Sequence, residues 1–391
     1  MVGLENKMRF EFSTATKVVF GQGTINEAAP AARLLGQRAV VVTGKSGRLM
    51  PEFVRQLENV GVSVSEIHIS GEPTVAVVTS GLEQAKDQTS DLVIGIGGGS
   101  VLDTAKAIAG LASNPGSVTD YLELVEAGKP LTNPSLPYIA IPTTAGTGSE
   151  VTCNAVLAVP ERRIKVSLRS PKLLPRLAII DPELTYTLPP EITAASGLDA
   201  LTQLIEGFLS NQSNPLTEAL CREGLRRASR SLRLAFEDSG NASARADMSL
   251  SSLLSGMVLA NIKLGAVHGL AGPIGGMFTA PHGAICARLL AVTMETNLRT
   301  LRTRSAQHPA VTCFAEIGQL LTGDAYARAE DGIEWLHELC EALNIPPLAT
   351  YGMREPDFEE IAQKAMRSSS MKGNPIALTE HELIGILAKA L

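Results

Sequence analysis

Short apolar runs alternate with helical patterns through the first half of the chain. Five runs rich in valine and isoleucine predict strands at 39–43, 62–69, 92–96, 138–142 and 177–180. The run at 92–96 is apolar throughout, which is typical of a strand buried on both faces of a parallel sheet. Apolar residues at helical spacing between the runs, for example over 50–60 and 75–88, complete βαβ units. The pattern therefore predicts a mostly parallel sheet.

The pattern becomes helical after residue 185. Apolar residues recur every three or four positions over 192–209, 216–236, 244–264 and 331–343. Pro189 and Pro190 lie at the junction. We therefore predict an α/β domain over residues 1–185 and an all-helical domain over residues 186–391, with a flexible loop at 239–244.

Composition and charge exclude several classes of function. The 391 residues are 45% hydrophobic and 19% charged, as in a folded globular protein. The net charge of −6 gives no reason to expect binding to nucleic acid or to an anionic membrane. The opening MVGLENKMRFEF has no apolar signal-peptide core, and no run approaches the ~20 apolar residues of a membrane span. The sequence predicts a cytoplasmic protein.

The cysteines are few and scattered. They are Cys153, Cys221, Cys286, Cys313 and Cys340. An odd number without CxxC spacing argues against a disulfide framework and against a zinc site built on thiolates. It agrees with a reducing compartment.

A glycine-rich turn follows the predicted strand at 92–96. In DLVIGIGGGSVLDTAKAIAGLA, Gly98 and Gly99 let the backbone approach a ligand closely, and Ser100 is the expected N-cap of the next helix, with Asp103 three residues on. The free N–H groups of a helix start bind phosphate. From the glycines alone, a tight connection without a ligand stays equally open. A P-loop is excluded because no GKS or GKT follows.

A second polar loop follows the predicted strand at 138–142. IPTTAGTGSEVT carries four threonines, a serine and two glycines at the carboxyl end of that strand. Taken alone, this stretch favours an ordinary polar loop. Two such loops on one parallel sheet favour a nucleotide site, since ligands bind at the carboxyl edge of open α/β sheets.

One carboxylate and two imidazoles are candidates for a metal site. In SGLDALTQLIEGFL, Asp199 and Gln203 share a helix face and Glu206 lies near it. GAVHGLAGPIGGMFTAPHGA holds His268 and His282. One carboxylate and two imidazoles suit Zn²⁺ or Fe²⁺ with an open position. The alternatives are a solvated surface aspartate and hydrogen-bonded core histidines. The other four histidines are assigned no role.

The motifs together resemble a known family across nearly the whole chain. FGQGTINE, GGGSVLDTAKAIA, IPTTAGTGSEVT, IIDPELTYTLPP, TAASGLDALTQLIEGFLS, LGAVHGLAGPIGGMFTAPHG and a late NPI occur in the order found in the iron-containing (group III) alcohol dehydrogenases. The resemblance implies the dehydroquinate synthase-like fold of that family, with metal and nicotinamide in the cleft between the two domains. It also implies an NAD(P)-dependent alcohol dehydrogenase or carbonyl reductase that forms homodimers or larger assemblies.

The same resemblance assigns roles to matching residues. It places the cofactor pyrophosphate on Gly98, Gly99, Ser100 and Asp103. It places the adenine, ribose and nicotinamide beside Thr143, Thr144, Thr147, Asn154 and Lys165. It makes Asp199, His268 and His282 the metal ligands and the catalytic centre, with Fe²⁺ or Zn²⁺ as the Lewis acid.

Three departures from the family pattern change these expectations. The family's DALTH is DALTQ here, so the second ligand position is Gln203, a weaker donor than imidazole. The family's VHGMAHP is VHGLAGP, so Gly272 replaces a proposed proton relay, leaving water or the ribose hydroxyl for that task. Gly44 stands where NAD-preferring members have an aspartate, which opens the site to NADP(H) through Lys45, Ser46 and Arg48.

Other functions remain open beside this one. A metal-free reaction like that of maleylacetate reductases is one. A lyase resembling dehydroquinate synthase, in which NAD is reduced and reoxidised within one cycle, is another. Gln203 and Gly272 also admit a nucleotide-binding protein without catalysis. Against the lyase, the chain lacks, near the candidate site of the helical half, the many basic residues that a phosphorylated, carboxylated substrate needs.

Overall fold

A computed structural model describes residues 9–45, 47, 50–123 and 128–391. Within that part of the chain, six strands form one parallel sheet and two more form an antiparallel hairpin. The strands are β1 (Val18–Phe20), β2 (Arg38–Gly44), β3 (Ser63–Ile69), β4 (Leu92–Gly97), β5 (Tyr138–Pro142), β6 (Asn154–Val159), β7 (Ile164–Arg169) and β8 (Leu177–Ile180).

The parallel sheet has the strand order β1-β8-β5-β4-β2-β3. All five predicted strands are present, and β4 and β5 are buried along their whole length, as their apolar sequences require. The sequence missed β1, β6 and β7. β1 has three residues, too few for a pattern. In β6 the alternation of half-buried and buried residues is that of a hairpin strand, and it lies outside the βαβ pattern that the prediction followed.

Helices cover the sheet and form the second half of the chain. They are α1 (Ala28–Leu35), α2 (Met50–Asn59), α3 (Val75–Asp87), α4 (Gly99–Ala112), α5 (Pro190–Leu209), α6 (Pro215–Glu237), α7 (Ala242–Asn261), α8 (Ala266–Met277), α9 (His282–Arg304), α10 (Pro309–Thr322), α11 (Ala329–Ala342), α12 (Phe358–Arg367) and α13 (Glu380–Ala390). An α/β region followed by a helical region is the predicted fold class. A division into two domains at residue 185 stays a prediction.

Two predicted boundaries between helix and loop were wrong. Residues 242–244, predicted as loop, belong to α7 because the Asn241 side chain accepts the Ala244 N–H and caps the helix early. Residues 262–264, predicted as helix, lie beyond its end, since Ile262 has an extended backbone.

No helix in the described ranges is by itself long and apolar enough to cross a membrane. α7 and α8 together reach the required length and hydropathy, but they are bent by 93° relative to each other.

The strand order creates a cleft at the carboxyl edge of the sheet. From β2 the chain runs outward to β3, returns to the other side of β2 as β4, and continues to β5. Strand order therefore reverses between β2 and β4, the position at which open α/β sheets bind ligands. Register places Thr43 opposite Ile96 and Gly97 opposite Pro142, so the loops after β2, β4 and β5 leave this edge side by side.

Candidate active site

The two predicted ligand loops pack directly against each other. A Cβ on Gly98 would lie 3.3 Å from Thr144 Cγ2, and one on Gly99 would lie 2.8 Å from Thr147 Cγ2. Only glycine fits at Gly99 without displacing the threonine. Thr143 is tied to the same edge, since its N–H donates to Gly97 O at 3.0 Å. The structure thus brings together the predicted glycine and threonine residues beside Gly44, which ends β2.

Helix α4 begins differently from the prediction. Ser100 is not the N-cap: α4 starts at Gly99, Gly98 is the N-cap, and no side chain caps the helix. The glycine turn reaches helical geometry one residue early because Gly98 takes an extended backbone that needs no side-chain partner. No side chain accepts from the first N–H groups of α4, as in helix starts that bind anions.

Asp103 has partners within the protein. Its carboxylate accepts the Ser149 hydroxyl at 2.5 Å and the Val156 N–H at 2.9 Å. These bonds fasten α4 to the loop after β5 and to the hairpin. The assignment of Asp103 to the pyrophosphate stays a prediction, and the contacts give it a second task in fixing that loop.

Lys106, which the sequence analysis did not single out, is fully buried beside Asp103. Its Nζ donates to Ser149 O at 2.7 Å, Thr152 Oγ1 at 2.8 Å and Asn154 O at 2.8 Å. Burial lowers the pKa of Lys106, and Asp103, 3.6 Å away, opposes the change. Lys106 lies among the apolar residues of α4, and nothing in that local pattern distinguishes a buried lysine from an exposed one. The sequence therefore gives no signal that identifies it.

The remaining predicted cofactor residues lie in the hairpin. Asn154 Oδ1 is buried and has no hydrogen-bond partner among the described residues. Lys165 Nζ lies 3.1 Å from Glu72 Oε2. A Cβ on Gly275 of α8 would lie 3.2 Å from the same Nζ. Lys165 therefore lies where the hairpin meets the helical region.

Three helices bring the predicted metal ligands to one point. Asp199 lies in the middle of α5, His268 in the first turn of α8, and His282 is the first residue of α9. His268 Nε2 is 3.4 Å from Asp199 Oδ1, and His282 Nε2 is 3.7 Å from the same oxygen. The alternative of a solvated surface aspartate is wrong, because only 2% of Asp199 is exposed.

A fourth donor lies in the same cluster and was missed. Cys286 Sγ lies 3.6 Å from His282 Nε2 and 3.8 Å from His268 Nε2. One donor atom from each of Asp199, His268, His282 and Cys286 lies within 4.8 Å of every other. Cysteine spacing alone could not reveal this, because the partners are not cysteines. The one available signal is the four-residue spacing of His282 and Cys286 on a helix.

Glu206 fixes the orientation of His268. Its Oε2 lies 2.7 Å from His268 Nδ1, and its Oε1 accepts the Val267 N–H at 2.6 Å. The imidazole donates Nδ1–H to this carboxylate, so Nε2 is the nitrogen that faces Asp199 and that offers a lone pair once its proton is displaced. A carboxylate behind the imidazole is the usual support of a metal-binding histidine.

Gln203 supports Asp199 from the other side. Its Nε2 lies 3.4 Å from Asp199 Oδ2 and 3.4 Å from Thr147 O, so the amide faces both as a donor. Gln203 Oε1 is buried with no hydrogen-bond partner in the described part of the chain. Whether that oxygen is a ligand stays a prediction.

The four donors perturb one another's ionisation. Burial alone would raise the pKa of Asp199, but His282 and His268 outweigh it and hold that pKa below its usual value. Burial would lower the pKa of His268, but Cys286, Asp199 and Glu206 raise it well above its usual range. Burial would raise the pKa of the Cys286 thiol, yet the two imidazoles lower it overall. Without a cation, the cluster therefore favours the carboxylate, imidazolium and thiolate forms, and a cation that binds here replaces the Nε2 protons of the imidazoles.

The residues fit a divalent cation. Asp199 Oδ1 is buried and, among the described residues, has no hydrogen-bond partner. A buried carboxylate oxygen that accepts no hydrogen bond retains coordinating capacity, and a cation among these donors would use it. Two imidazoles and a carboxylate are ligands that Zn²⁺ and Fe²⁺ accept.

Comparison with known proteins decides the family. The sequence model "Iron-containing alcohol dehydrogenase" matches residues 15–182, and "Fe-containing alcohol dehydrogenase family, C-terminal" matches residues 193–391. The chain belongs to the iron-containing alcohol dehydrogenase family. It is 36% identical over 381 residues to alcohol dehydrogenase 4 of Saccharomyces cerevisiae (strain YJM789), covering 95% of this chain and 96% of the relative.

Solved structures of the family share the whole fold. A 1,3-propanediol oxidoreductase matches with a TM-score of 0.91 and 31% identity, over 98% of this chain and 100% of the other. Sulfoacetaldehyde reductase from Bifidobacterium kashiwanohense, solved in complex with NAD⁺, matches with a TM-score of 0.85 and 28% identity, over 98% and 99%. The predictions of family, fold and enzyme class are confirmed: this family member is an alcohol dehydrogenase or carbonyl reductase, from a family that uses NAD(H) and Fe²⁺ on small-molecule alcohols.

The positions that depart from the family pattern have different surroundings. A Cβ on Gly272 would meet nothing within 4 Å, so the position of the absent relay histidine is open space. Gly44 is partly exposed and Lys45, beside it, is exposed. Ser46 and Arg48, named above as 2′-phosphate ligands, lie outside the described residues.

Proposed function

We propose that this enzyme interconverts short aldehydes and primary alcohols where α5, α8 and α9 meet, with Asp199, His268 and His282 holding a divalent cation. The observation that carries the proposal is the buried Asp199 Oδ1, which accepts no hydrogen bond among the described residues and faces two imidazole nitrogens at 3.4 and 3.7 Å. The substrate class is supported by relatives named for alcohol and 1,3-propanediol.

Each residue of the cluster has a definite part in the reaction. When bound, the cation polarises the carbonyl or alcohol oxygen, and the nicotinamide gives or takes the hydride. Glu206 keeps the His268 proton on Nδ1, 2.7 Å away. The His282 side chain is 35% exposed and Asp199 2%, so substrate reaches the cluster from the His282 side.

The same proposal assigns the cofactor to the cleft between β2, β4 and β5. The start of α4 at Gly98, Gly99 and Ser100 binds the pyrophosphate with its free N–H groups. The loop threonines, together with Asn154 and Lys165, line the nucleoside and nicotinamide side. Gly44 bears no carboxylate, so the 2′-phosphate of NADPH would meet no repulsion at this position. Both NADH and NADPH are therefore tested as cofactors.

The test combines metal analysis with turnover. Protein purified anaerobically is assayed with NADH and NADPH against short aldehydes, then after chelation, and again after adding Fe²⁺ or Zn²⁺. We expect about one metal per chain, loss of turnover on chelation and recovery on reloading. Asp199→Asn should bind NADH normally and turn over at least a hundredfold more slowly, by analogy with loss of a transition-state contact.

Two results would favour the rival functions. Turnover that survives complete chelation would contradict the metal site and favour the maleylacetate-reductase-like reaction. Conversion of substrate without net consumption of NADH would favour the lyase.

We further propose that the enzyme works in the cytoplasm as a homo-oligomer. All five cysteines are free, which suits a reducing compartment. The oligomer rests on the family resemblance, and light scattering on the purified chain tests it.

A further inference from the structure

The distances around Cys286 match those among the ligands of one tetrahedral ion. Bonds of about 2.0 to 2.3 Å to a tetrahedral Zn²⁺ place nitrogen and oxygen ligands about 3.3 Å apart and sulfur and nitrogen about 3.6 Å apart. The corresponding pairs here are 3.4 and 3.7 Å for imidazole to Asp199, and 3.6 and 3.8 Å for imidazole to Cys286. The thiol therefore already occupies a ligand position.

Helix geometry and burial hold the sulfur in that position. Cys286 lies one turn after His282 on α9 and is fully buried. Its polar neighbours are the donor atoms of His268, His282 and Asp199. Cys340 differs, because its thiol donates to the carbonyl of Ala287 at 3.3 Å. Cys286 thus has a metal-binding set of neighbours and Cys340 has an ordinary hydrogen bond.

Charge favours the same arrangement. A carboxylate and a thiolate neutralise a divalent cation, so the buried cluster would carry no net charge, and two neutral imidazoles complete it. Binding breaks the S–H bond, releases the proton to solvent and forms a metal–sulfur bond, since a coordinating thiol is deprotonated. Gln203 lies outside this set, with its amide nitrogen 3.4 Å from the other oxygen of Asp199.

We propose that Cys286 is the fourth protein ligand and that its thiolate shifts the preference of the site from Fe²⁺ toward Zn²⁺. Thiolate is a soft donor, and a four-coordinate set with sulfur suits Zn²⁺ better than Fe²⁺. Zn²⁺ can expand to five-coordination, which leaves room for the substrate oxygen. The inference rests on the metal site of the proposed function.

The first test uses Co²⁺ as a spectroscopic probe. Chelated enzyme is reloaded with Co²⁺, and its absorption spectrum is recorded. We expect the intense visible bands of tetrahedral Co²⁺ together with a near-ultraviolet thiolate-to-cobalt charge-transfer band. Cys286→Ser should bind Co²⁺ at least tenfold more weakly and lack the charge-transfer band, whereas Cys340→Ser and Gln203→Ala should retain it.

The outcomes separate the two proposals. Wild-type enzyme that binds Co²⁺ without the charge-transfer band overturns the role of Cys286 and leaves the metal site standing. Failure to bind any Co²⁺, with Zn²⁺ and Fe²⁺ also absent by metal analysis, overturns both. Because the wild-type spectrum decides the matter by itself, a poorly folded Cys286→Ser protein does not obscure it.

A competition experiment tests the metal preference. Apoenzyme is equilibrated anaerobically with equal amounts of Zn²⁺ and Fe²⁺, and bound metal is measured. Most sites of this kind prefer Zn²⁺ to Fe²⁺, so the informative quantity is the change between variants. We expect the Zn²⁺/Fe²⁺ ratio of Cys286→Ser to fall at least tenfold relative to wild type and to Cys340→Ser. An unchanged ratio overturns the selectivity.

Discussion

His268 is an imidazole held in a single orientation by carboxylates on both sides. Glu206 accepts from Nδ1 on one side, and Asp199 and Cys286 face Nε2 on the other. Glu206 also accepts the N–H of Val267, so this carboxylate lies at the positive end of α8, where an anion is stabilised. At the scale of the residue, the site depends as much on Glu206 as on the donors themselves.

Replacing Glu206 by glutamine should therefore weaken metal binding without removing a ligand. In one orientation the amide NH₂ faces His268 Nδ1 and the imidazole loses its acceptor. In the other the NH₂ faces the Val267 N–H, and the imidazole keeps only a neutral, weaker acceptor. We expect metal affinity to fall by about 10- to 100-fold. Competition with a chromophoric chelator measures it, and NADH affinity, which does not involve Glu206, is the internal control. An affinity equal to wild type would show that His268 needs no carboxylate behind it.

A second buried carboxyl makes stability depend on pH. Burial raises the pKa of Glu150 from 4.5 to about 7, and only 2% of the residue is exposed. Below about pH 4.5 the folded and unfolded chains both hold the proton. Between pH 4.5 and pH 7 only the folded chain holds the proton on Glu150. The free energy of unfolding therefore decreases as pH rises through this range.

Glu150→Gln should remove that cost. We expect the variant to gain about 3 kcal/mol over wild type between pH 4.5 and pH 8. Urea unfolding of both proteins at several pH values measures the difference, with the exposed Glu58→Gln as the matched control. Parallel profiles for wild type and Glu150→Gln would contradict the assignment.

At the scale of the element, the start of α9 places two donors at once. His282 and Cys286 lie one turn apart, and α9 reaches Asp199 only because it approaches α5 very closely. A Cβ on Gly283 would lie 2.1 Å from the carbonyl oxygen of Ala195 in α5. The carbonyl oxygen of Ala195 belongs to the backbone, which cannot move aside as the end of a flexible side chain can. The close approach of α9 to α5 therefore requires that residue 283 has no side chain.

Gly283→Ala should therefore damage the metal site from a position that offers no ligand. The added methyl group must push α9 from α5, which we expect to cost about 1–3 kcal/mol of stability and to lower metal affinity at least tenfold. Thermal melting and Co²⁺ titration measure the two effects. The control is Gly385→Ala in α13, where a Cβ meets nothing within 4 Å. Metal affinity equal in both variants would mean that α9 can shift without moving His282.

At the scale of the whole molecule, the two halves of the chain carry different parts of the site. The four donors lie on α5 and the helices after it, whereas the phosphate-binding turn and the threonine loop lie on the parallel sheet. The halves meet tightly: a Cβ on Gly256 of α7 would lie 2.3 Å from Gly148 O in the threonine loop. In the proposed function, cofactor and metal are therefore brought together by packing of the two halves and not by shared residues.

Metal removal should accordingly leave cofactor binding almost unchanged. Because the proposed pyrophosphate and metal residues are separate, we expect apoenzyme and reloaded enzyme to bind NADH with dissociation constants within about threefold of each other. Fluorescence titration of NADH measures both. A loss of NADH affinity of tenfold or more on chelation would show that the cation itself holds the nicotinamide.

Local patterns in the sequence determined the elements and part of the site. The apolar runs at β4 and β5 reflect strands that are buried on both faces. The helical spacing from α5 onward reflects helices that bury one face. Both patterns involve only residues that are close in sequence, so the sequence alone shows them. Gly99, Thr147, Asp199, His268 and His282 were identifiable because motifs place them after strands or inside helices. Their exact caps were not, since Gly98 and not Ser100 is the N-cap of α4.

Only the tertiary structure decided what surrounds those residues. Cys286 joins the donors, Glu206 orients His268, and Lys106 is buried, because helices distant in the chain pack at distances that no local pattern records. A cysteine with no cysteine partner and a lysine in an apolar helix carry no signal of their own. The chemistry of such residues is set by neighbours that are distant in the chain: Cys286 and Asp199, for example, are 87 residues apart. Burial strengthens the electrostatic interaction between such neighbours.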